Sequence, residues 1–371
     1  MKILFLSSWF PNKLEPTNGN FVQRHAEAVA TLHDVEILHT IGDFDQKETY
    51  IFDDKVINGI RTLVIYYKNS KNPIQNFVRR MKAYKMGFAK LQKPDLVHAN
   101  VLHNNMLFAV YLKSKYQIPF VMTEHWTALR KINQHQTSSA IKFIANYIGN
   151  RASAILPVSN DLKISLENLG IKKPMKVIPN VVDTQLFEPN HSQSEVFTFV
   201  HISNLIPRKN ADKILNVAIK LLKEGNKLKL KIGGDGETKT LREIAKKEGF
   251  ENQIEVFDTL TLHEVSEKLK TSDCFVLFSN DENQPCVIAE SFASGIKVIS
   301  TNVGGISEFF PSDFGILVDE PNEILLENAM RKLLNEKEIT NKKEIAEYAE
   351  KTFSKKAIAE QFTEVYEKIL K

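Results

Sequence analysis

Residues 279–308 read SNDENQPCVIAESFASGIKVISTNVGGISE. A strand ending near Ser279 runs into a polar loop, and Pro285 stands where a helix's first turn begins, a place that tolerates a residue without an N–H. The spacing predicts a helix over Pro285–Ala293 and a second strand over Lys297–Ser300. Such a helix start aims the amides of Cys286 and Val287 beyond the strand end, where the positive end of the helix dipole favours an anion such as phosphate. Glu282 lies in the loop and Glu290 in the second turn. A carboxylate accepts two hydrogen bonds, which suits the vicinal hydroxyls of a ribose or a hexose. Two glutamates eight residues apart are ordinarily solvated surface residues; their placement around a helix start gives these two a chemical reading.

The same strand–helix alternation extends in both directions. Apolar, β-branched runs recur at Ile3–Leu6, Val35–His39, Thr62–Tyr67, Leu96–Ala99, Phe120–Thr123, Ala154–Val158 and Lys176–Ile178. They continue at Phe197–Ile202, Lys227–Ile232, Ile254–Phe257, Cys274–Phe278, Lys297–Ser300 and Gly315–Val318. Most are continuous rather than alternating, as strands buried on both faces are. Helical spacing fills the gaps, as in Asn20–Leu32 and Lys209–Lys223. The pattern predicts an α/β protein of two doubly wound parallel-sheet domains, Rossmann-like, with crevices facing one another across an interdomain cleft. The expected division is 1–185 and 186–354, through the polar connection Val181–Glu195. A final helix, about 355–371, sets Ile358, Phe362, Val365 and Ile369 on one face and is expected to pack back on the first domain.

Composition narrows the class. The 371 residues are 43% hydrophobic and 25% charged, ordinary for a globular chain and too apolar for disorder. Two cysteines, Cys274 and Cys286, make neither a disulfide framework nor a thiolate metal site, so a reducing, cytoplasmic setting is expected. No apolar run reaches the ~20 residues of a membrane span, and Ile3–Leu6 is too short for a signal peptide. The net charge of +4 is unevenly spread: residues 1–185 hold 24 Lys and Arg against 14 Asp and Glu, and the remainder holds 25 against 31. Within the basic half, Lys71, Arg79, Arg80, Lys82, Lys85, Lys90 and Lys93 occur without an acid, on a helical pattern of Ile74, Phe77, Met81, Tyr84, Phe88 and Leu91. Its apolar side belongs on the sheet; its charge predicts peripheral contact of 71–93 with an anionic membrane, at the inner face.

Taken together, these stretches resemble the retaining glycosyltransferases of family 4, which have the GT-B fold. The resemblance is carried by Glu282 and Glu290 with seven residues between them, Ser294-Gly295, Val298–Thr301 and Gly304-Gly305. It is also carried by PTNGNFVQRHAEAVA (16–30), PDLVHAN (94–100), VMTEHWT (121–127), PVSNDLK (157–163), VIPNVVDTQLFEP (177–189), HISNLIPRKN (201–210) and KIGGDGE (231–237). It implies that Glu290 binds the nucleotide ribose and that Glu282 meets the donor sugar, with a catalytic role in some accounts. Lys209 would neutralise the diphosphate, Gly19 would leave room for phosphates or sugar, and His125 would touch the donor sugar. Trp126 is either an acceptor wall or a core aromatic. The base would sit near Phe257–Thr259, mostly against backbone.

One departure stands out. Many relatives place an Arg five residues before the Lys; here that residue is Asn204, and Arg208 is the cation that could replace it. The resemblance implies transfer of a hexose or hexosamine with retention of configuration, from a nucleoside diphosphate sugar (UDP favoured over GDP) to a glycan or lipid-linked glycan acceptor in cell-surface polysaccharide synthesis. It implies no cofactor and no metal. Asp43-Phe44-Asp45 has the form of a metal-binding Asp-x-Asp, but three residues carry little information and surface carboxylates are the expectation. The alternatives are a sugar-nucleotide epimerase or phosphorylase of the same fold, and a non-catalytic sugar-nucleotide-binding module. The run Gly233-Gly234-Asp235-Gly236 lacks the G-x-G-x-x-G spacing of dinucleotide enzymes, and nothing interleaves aromatic and basic residues as nucleic-acid binding requires.

Overall fold

The computed structural model of the chain describes residues 1–190, 195–336 and 341–371. These gather into two compact units, Met1–Val181 with Lys355–Lys371, and Val182–Ser354. The division falls ahead of the expected position after residue 185. Val182 donates its N–H to Phe353 O (2.9 Å) and is buried in the core of the second unit, so the chain has already changed units there. Residues 191–194 of the expected connection lie outside the described residues.

Among the described residues, the first unit holds a seven-stranded sheet. Its strands are β1 (Lys2–Ser7), β2 (Asp34–Asp43), β3 (Tyr50–Ile57), β4 (Ile60–Lys68), β5 (Leu96–Asn100), β6 (Phe120–Glu124) and β7 (Ala154–Pro157). They lie in the order β3-β4-β2-β1-β5-β6-β7. The continuous apolar runs have their predicted cause: Leu4 and Leu6 enter the core on one face of the sheet, Ile3 and Phe5 the core on the other. The second unit holds β8 (Phe197–Ser203), β9 (Leu228–Gly234), β10 (Ile254–Phe257), β11 (Cys274–Leu277), β12 (Lys297–Thr301) and β13 (Gly315–Val318), ordered β10-β9-β8-β11-β12-β13. Here Cys274 and Val276 face one core, Phe275 and Leu277 the other.

Two expectations require correction. The first sheet is not wholly parallel: β3 pairs antiparallel with β4 from Tyr50↔Tyr67 to Ile57↔Ile60. The connection is Asn58-Gly59, with φ of 49° and 81°, the left-handed pair that a two-residue hairpin needs. The run Lys176–Ile178 is not a strand. It follows β7 through an isolated bridge, Ile155↔Met175, and bonds from Lys176 N–H to Ile155 O and Ile178 N–H to Pro157 O. Pro174 and Pro179 bracket it and remove the donors a longer ladder would use.

The helix Lys355–Leu370 packs on helix Asn20–Ala30 of the first unit, burying Ile358, Phe362, Val365 and Tyr366. The Tyr366 hydroxyl lies 2.5 Å from His98 Nδ1, and His98 Nε2 lies 2.6 Å from Thr123 Oγ1, so the polar groups of this interface are paired. In each sheet the chain starts centrally, winds to one side and returns to the other. The switch points lie between β1 and β5, and between β8 and β11. Ligands of open α/β sheets bind beyond the carboxyl strand ends at such points.

Candidate functional site

At the switch point of the second unit, the loop after β8 meets the loop after β11. The first tightens into a 3-10 turn, Pro207–Lys209, and Asn210 takes a left-handed φ of 50° before helix Ala211–Lys223 begins. The expected continuous helix from Lys209 is therefore broken, and Lys209 is presented by a turn. Asn210 Nδ2 donates to Phe278 O (2.8 Å) and Asn280 Oδ1 (2.7 Å), while Asn280 N–H donates to Arg208 O (2.8 Å). These bonds cross the switch point and fix one loop against the other.

On this frame Lys209 Nζ donates to Glu282 Oε1, which also accepts from Ser279 Oγ at 2.7 Å. Both members of the ion pair are nearly buried, with side chains 11% and 7% exposed. An ion pair in such a place gives up hydration and gains little net stability, so its value lies in position. Arg208 turns elsewhere: its Nη1 donates to Asp281 O at 3.3 Å and lies 3.9 Å from the Asp281 carboxylate. The two neighbouring cations thus serve two different acids.

Pro285 is the residue before the helix rather than its first member, with φ −72° and ψ 120°; helix Cys286–Ala293 begins with Cys286 and Val287. Glu290, one turn in, is buried. The Gly304-Gly305 loop joins the same frame through Gly305 N–H to Asn283 O, 3.0 Å. Behind it stands His201, unassigned from sequence. Its Nδ1 lies 2.8 Å from Val276 O and its Nε2 2.9 Å from Ser203 Oγ, which accepts the Leu205 N–H at 3.1 Å. Burial first, opposed by the Val276 carbonyl and aided by the Lys209 charge, pushes this imidazole down to about 4. A neutral ring donating to Val276 and accepting from Ser203 satisfies both contacts, linking the sheet to the cationic turn.

The first unit gathers other predicted residues at its own switch point. Gly19, with φ 76°, precedes helix Asn20–Ala30. A Cβ there would stand 2.4 Å from Trp9 C and O and 2.7 Å from Phe10 N, so the chain's own packing already requires glycine. Phe21, two residues on, packs against His125 with ring centroids 4.2 Å apart, and His25 lies 5.3 Å from the same ring. Burial, then the charges His25 and His98 would carry, hold His125 well below its ordinary range, as a neutral imidazole.

What aims this segment is Glu124, within the quoted TEHWT but without an assigned role. Its fully buried carboxylate accepts the N–H of Leu102 (2.5 Å), His125 (2.8 Å) and Trp126 (2.6 Å), tying the loop after β5 to the loop after β6. Desolvation pushes its pKa up to about 7 against the pull of those three donors. The loop it holds is strained: Val101, β-branched, sits at φ 67°, a conformation that costs about 1–3 kcal/mol and persists where surroundings enforce it. Trp126 is half-buried, edge-on to Trp9 and to His103, each at 6.0 Å. In the Asp-x-Asp run, Asp43 pairs with Lys13 at 3.6 Å and accepts the Asp45 N–H at 2.9 Å, a local turn. Among the described residues no three His, Cys, Asp or Glu side chains gather as a metal ion requires, and no helix is long and apolar enough to cross a membrane.

Comparison with known proteins bears on both units. Residues 182–352 match the family described as glycosyl transferases group 1, and residues 19–186 match Glycosyltransferase Family 4. The putative teichuronic acid biosynthesis glycosyltransferase TuaC of Bacillus subtilis is 25% identical over 363 residues, 91% of this chain and 90% of that protein. A phosphatidylinositol N-acetylglucosaminyltransferase component of Arabidopsis thaliana is 30% identical over 203 residues, 53% of this chain but 45% of the relative, so less than half of that protein is spanned. The fold is that of Anabaena HepE, solved in complex with UDP and glucose: the TM-score is 0.77 at 18% identity, covering 99% of this chain and 100% of that one. With both family matches and the paired α/β sheets in place, the chain belongs to the family 4, group 1 glycosyltransferases, of GT-B fold.

Proposed function

We propose that this glycosyltransferase moves a hexose or hexosamine from a nucleoside diphosphate sugar, UDP in preference to GDP, to a glycan or lipid-linked glycan acceptor, with retention of anomeric configuration. The observation that carries the reading is the buried Lys209–Glu282 pair at the switch point of the second unit, beside the start of helix Cys286–Ala293. Cleavage of the sugar–phosphate bond builds negative charge on the β-phosphate. Lys209 and the amides at Cys286 and Val287 stabilise that charge, Arg208 adding its field from Asp281's side. Glu282 orients the donor sugar through its hydroxyls and Glu290 takes the ribose. In the first unit, Gly19 and the neutral, buried His125 are the residues that match the family's positions for the donor's phosphates and sugar. The departing phosphate takes the acceptor proton as the sugar–phosphate bond breaks and the bond to the acceptor oxygen forms. Lys209 and the helix amides meet its charge, and this reading assigns no metal and no cofactor.

Support for the donor comes from HepE, which was solved with UDP and glucose. Support for a glycan or lipid-borne acceptor comes from TuaC, whose name places it in teichuronic acid synthesis, and from the phosphatidylinositol-directed relative. Helix Pro73–Phe88 leaves Val78 (58%) exposed on the helix that carries Arg79, Lys82 and Lys85, and Ile74 (74%) is exposed rather than packed on the sheet as expected, which supports peripheral contact with an anionic membrane from the cytoplasmic side. The test is nucleotide release from UDP- and GDP-sugars with and without an alcohol acceptor. Transfer predicts acceptor-stimulated release of the nucleotide that falls about a hundredfold in Lys209→Ala. Turnover without any acceptor, giving an epimer or a sugar phosphate, or binding without turnover, would replace this reading by an alternative.

A further inference from the structure

The carboxyl edge of the first unit's sheet holds a cation that no acid serves among the described residues. Tyr84 donates its hydroxyl to Ser7 O at the end of β1 (3.1 Å), and Arg79 Nη1 donates to Lys68 O at the end of β4 (2.6 Å). Arg80 lies one turn before Tyr84 on the same helix face, and so beyond the strand ends. Several arginines of the chain have carboxylates: Arg61 has Glu36 and Asp54, Arg130 has Asp161, and Arg331 has Glu224 and Glu327. Arg79 and Arg151 donate to the backbone carbonyls of Lys68 and Tyr147. Among the described residues no carboxylate pairs with Arg80, and its Nε is buried without a hydrogen-bond partner. A half-buried guanidinium left in this state is poised for an anion that is not part of the chain.

Two further elements converge on it. From the end of β4 comes Tyr67, whose phenol is raised by burial and drawn back down by the Arg80 charge and hydrogen bond. From the strained loop that Glu124 holds come His103 and Asn104; His103 is lowered by burial first and then by the Arg80 charge, and Asn104 Oδ1 is buried without a partner. His103 meets Asn105 Oδ1 through Nδ1 at 3.2 Å and the edge of Trp126, which in turn meets Trp9.

Resting on the transferase reading above, we propose that Arg80, His103 and the Tyr67 hydroxyl form an acceptor subsite for a phosphoryl group, with the adjoining sugar lying on Trp126 and Trp9. Donors from three directions suit a tetrahedral group better than a planar carboxylate, which one arginine fork satisfies alone. The unliganded site disfavours a second charge, and a phosphate between Arg80 and His103 reverses that field. Nδ1 already faces Asn105, so Nε2 takes up the proton and donates to the phosphate, and binding is linked to proton uptake. The charged or titratable groups facing His103 are Arg80 from its helix and, behind Arg80, Tyr67 and Tyr84.

The test uses the full chain and three probes: N-acetylglucosamine 1-phosphate, farnesyl diphosphate and neutral N-acetylglucosamine. Calorimetry gives affinity, and the His103 imidazole proton followed by NMR gives its titration. The phosphate probes are expected to bind saturably, with the His103 midpoint moving upward, and to weaken about tenfold or more in Arg80→Gln but not in Arg80→Lys. UDP affinity is unchanged in either variant. Preference for farnesyl diphosphate assigns a lipid-linked acceptor, and preference for the sugar phosphate a soluble one. Equal binding of phosphate probes to Arg80→Gln, or a static His103, overturns the proposal. Absence of UDP binding to the unaltered chain overturns the donor reading instead, while the Arg80 comparison still decides the subsite.

Discussion

Lys209 and Glu124 illustrate how one side chain's surroundings decide its use. Lys209 is nearly buried, and its charge is matched by a single carboxylate that a sugar's hydroxyls can share. Glu124 has two oxygens for three backbone donors, so an ionised group fits and an amide does not. Replacing it by Gln turns an NH2 toward at least one of those N–H groups. Glu124→Gln is expected to lose about 1–3 kcal/mol of stability, measured by urea unfolding. It is also expected to raise KM for donor through a displaced His125; an unchanged unfolding midpoint would show that the three bonds hold nothing. The places of Glu282, Glu290, Lys209 and His125 just beyond strand ends are legible in the sequence because their motifs are contiguous. The contacts of Glu124 and His201 are not, because they depend on groups distant in sequence: Glu124 meets Leu102, 22 residues away, and His201 meets Val276, 75 residues away.

At the scale of elements, twelve of the thirteen strands among the described residues correspond to apolar runs, since strands buried on both faces cannot be polar. The one unread, β3, carries Asp53, Asp54 and Lys55 on a sheet edge with one face in water, and its signal is the Asn58-Gly59 turn rather than hydrophobicity. Conversely, Lys176–Ile178 has strand composition but is flanked by prolines. The helix Lys355–Leu370 shows the same limit: its apolar spacing is plain, yet Tyr366 belongs to the buried face because His98 waits opposite its hydroxyl. Phe362 is fully buried between His25 and His98, with ring centroids 5.2 and 4.9 Å away. Phe362→Ala should therefore cost about 3–5 kcal/mol, read by chemical denaturation. A loss below about 1 kcal/mol would mean that this helix does not hold the first unit together.

For the whole molecule, buried histidines set the acid limit. His25, His39 and His201 are pushed down to about 4, each mainly by burial. A lowered base stays neutral in the fold while the unfolded chain takes its proton near pH 6.5, so their contribution is present above 6.5 and drains away as pH falls toward 4. Glu124 acts in the opposite sense: raised to about 7, its burial is most costly above that pH and relieved on the way down to 4.5. His98 and His125, which burial also holds well below the ordinary range, act in the same sense, so the histidines outweigh the one carboxyl. Stability is expected to fall by a few kcal/mol between about pH 6.5 and 4, measured by urea unfolding at several pH values. A flat profile over that interval would show the three rings to be charged in the fold.

The central claim is that the second unit's switch point binds a nucleotide through Glu290 beside Lys209. Calorimetric titration of UDP into the unaltered chain and into Glu290→Ala, each with and without magnesium, tests it directly. Saturable binding is expected, independent of the metal and weakened about tenfold or more in the variant. Binding of equal strength in Glu290→Ala, or binding that requires magnesium, would contradict it.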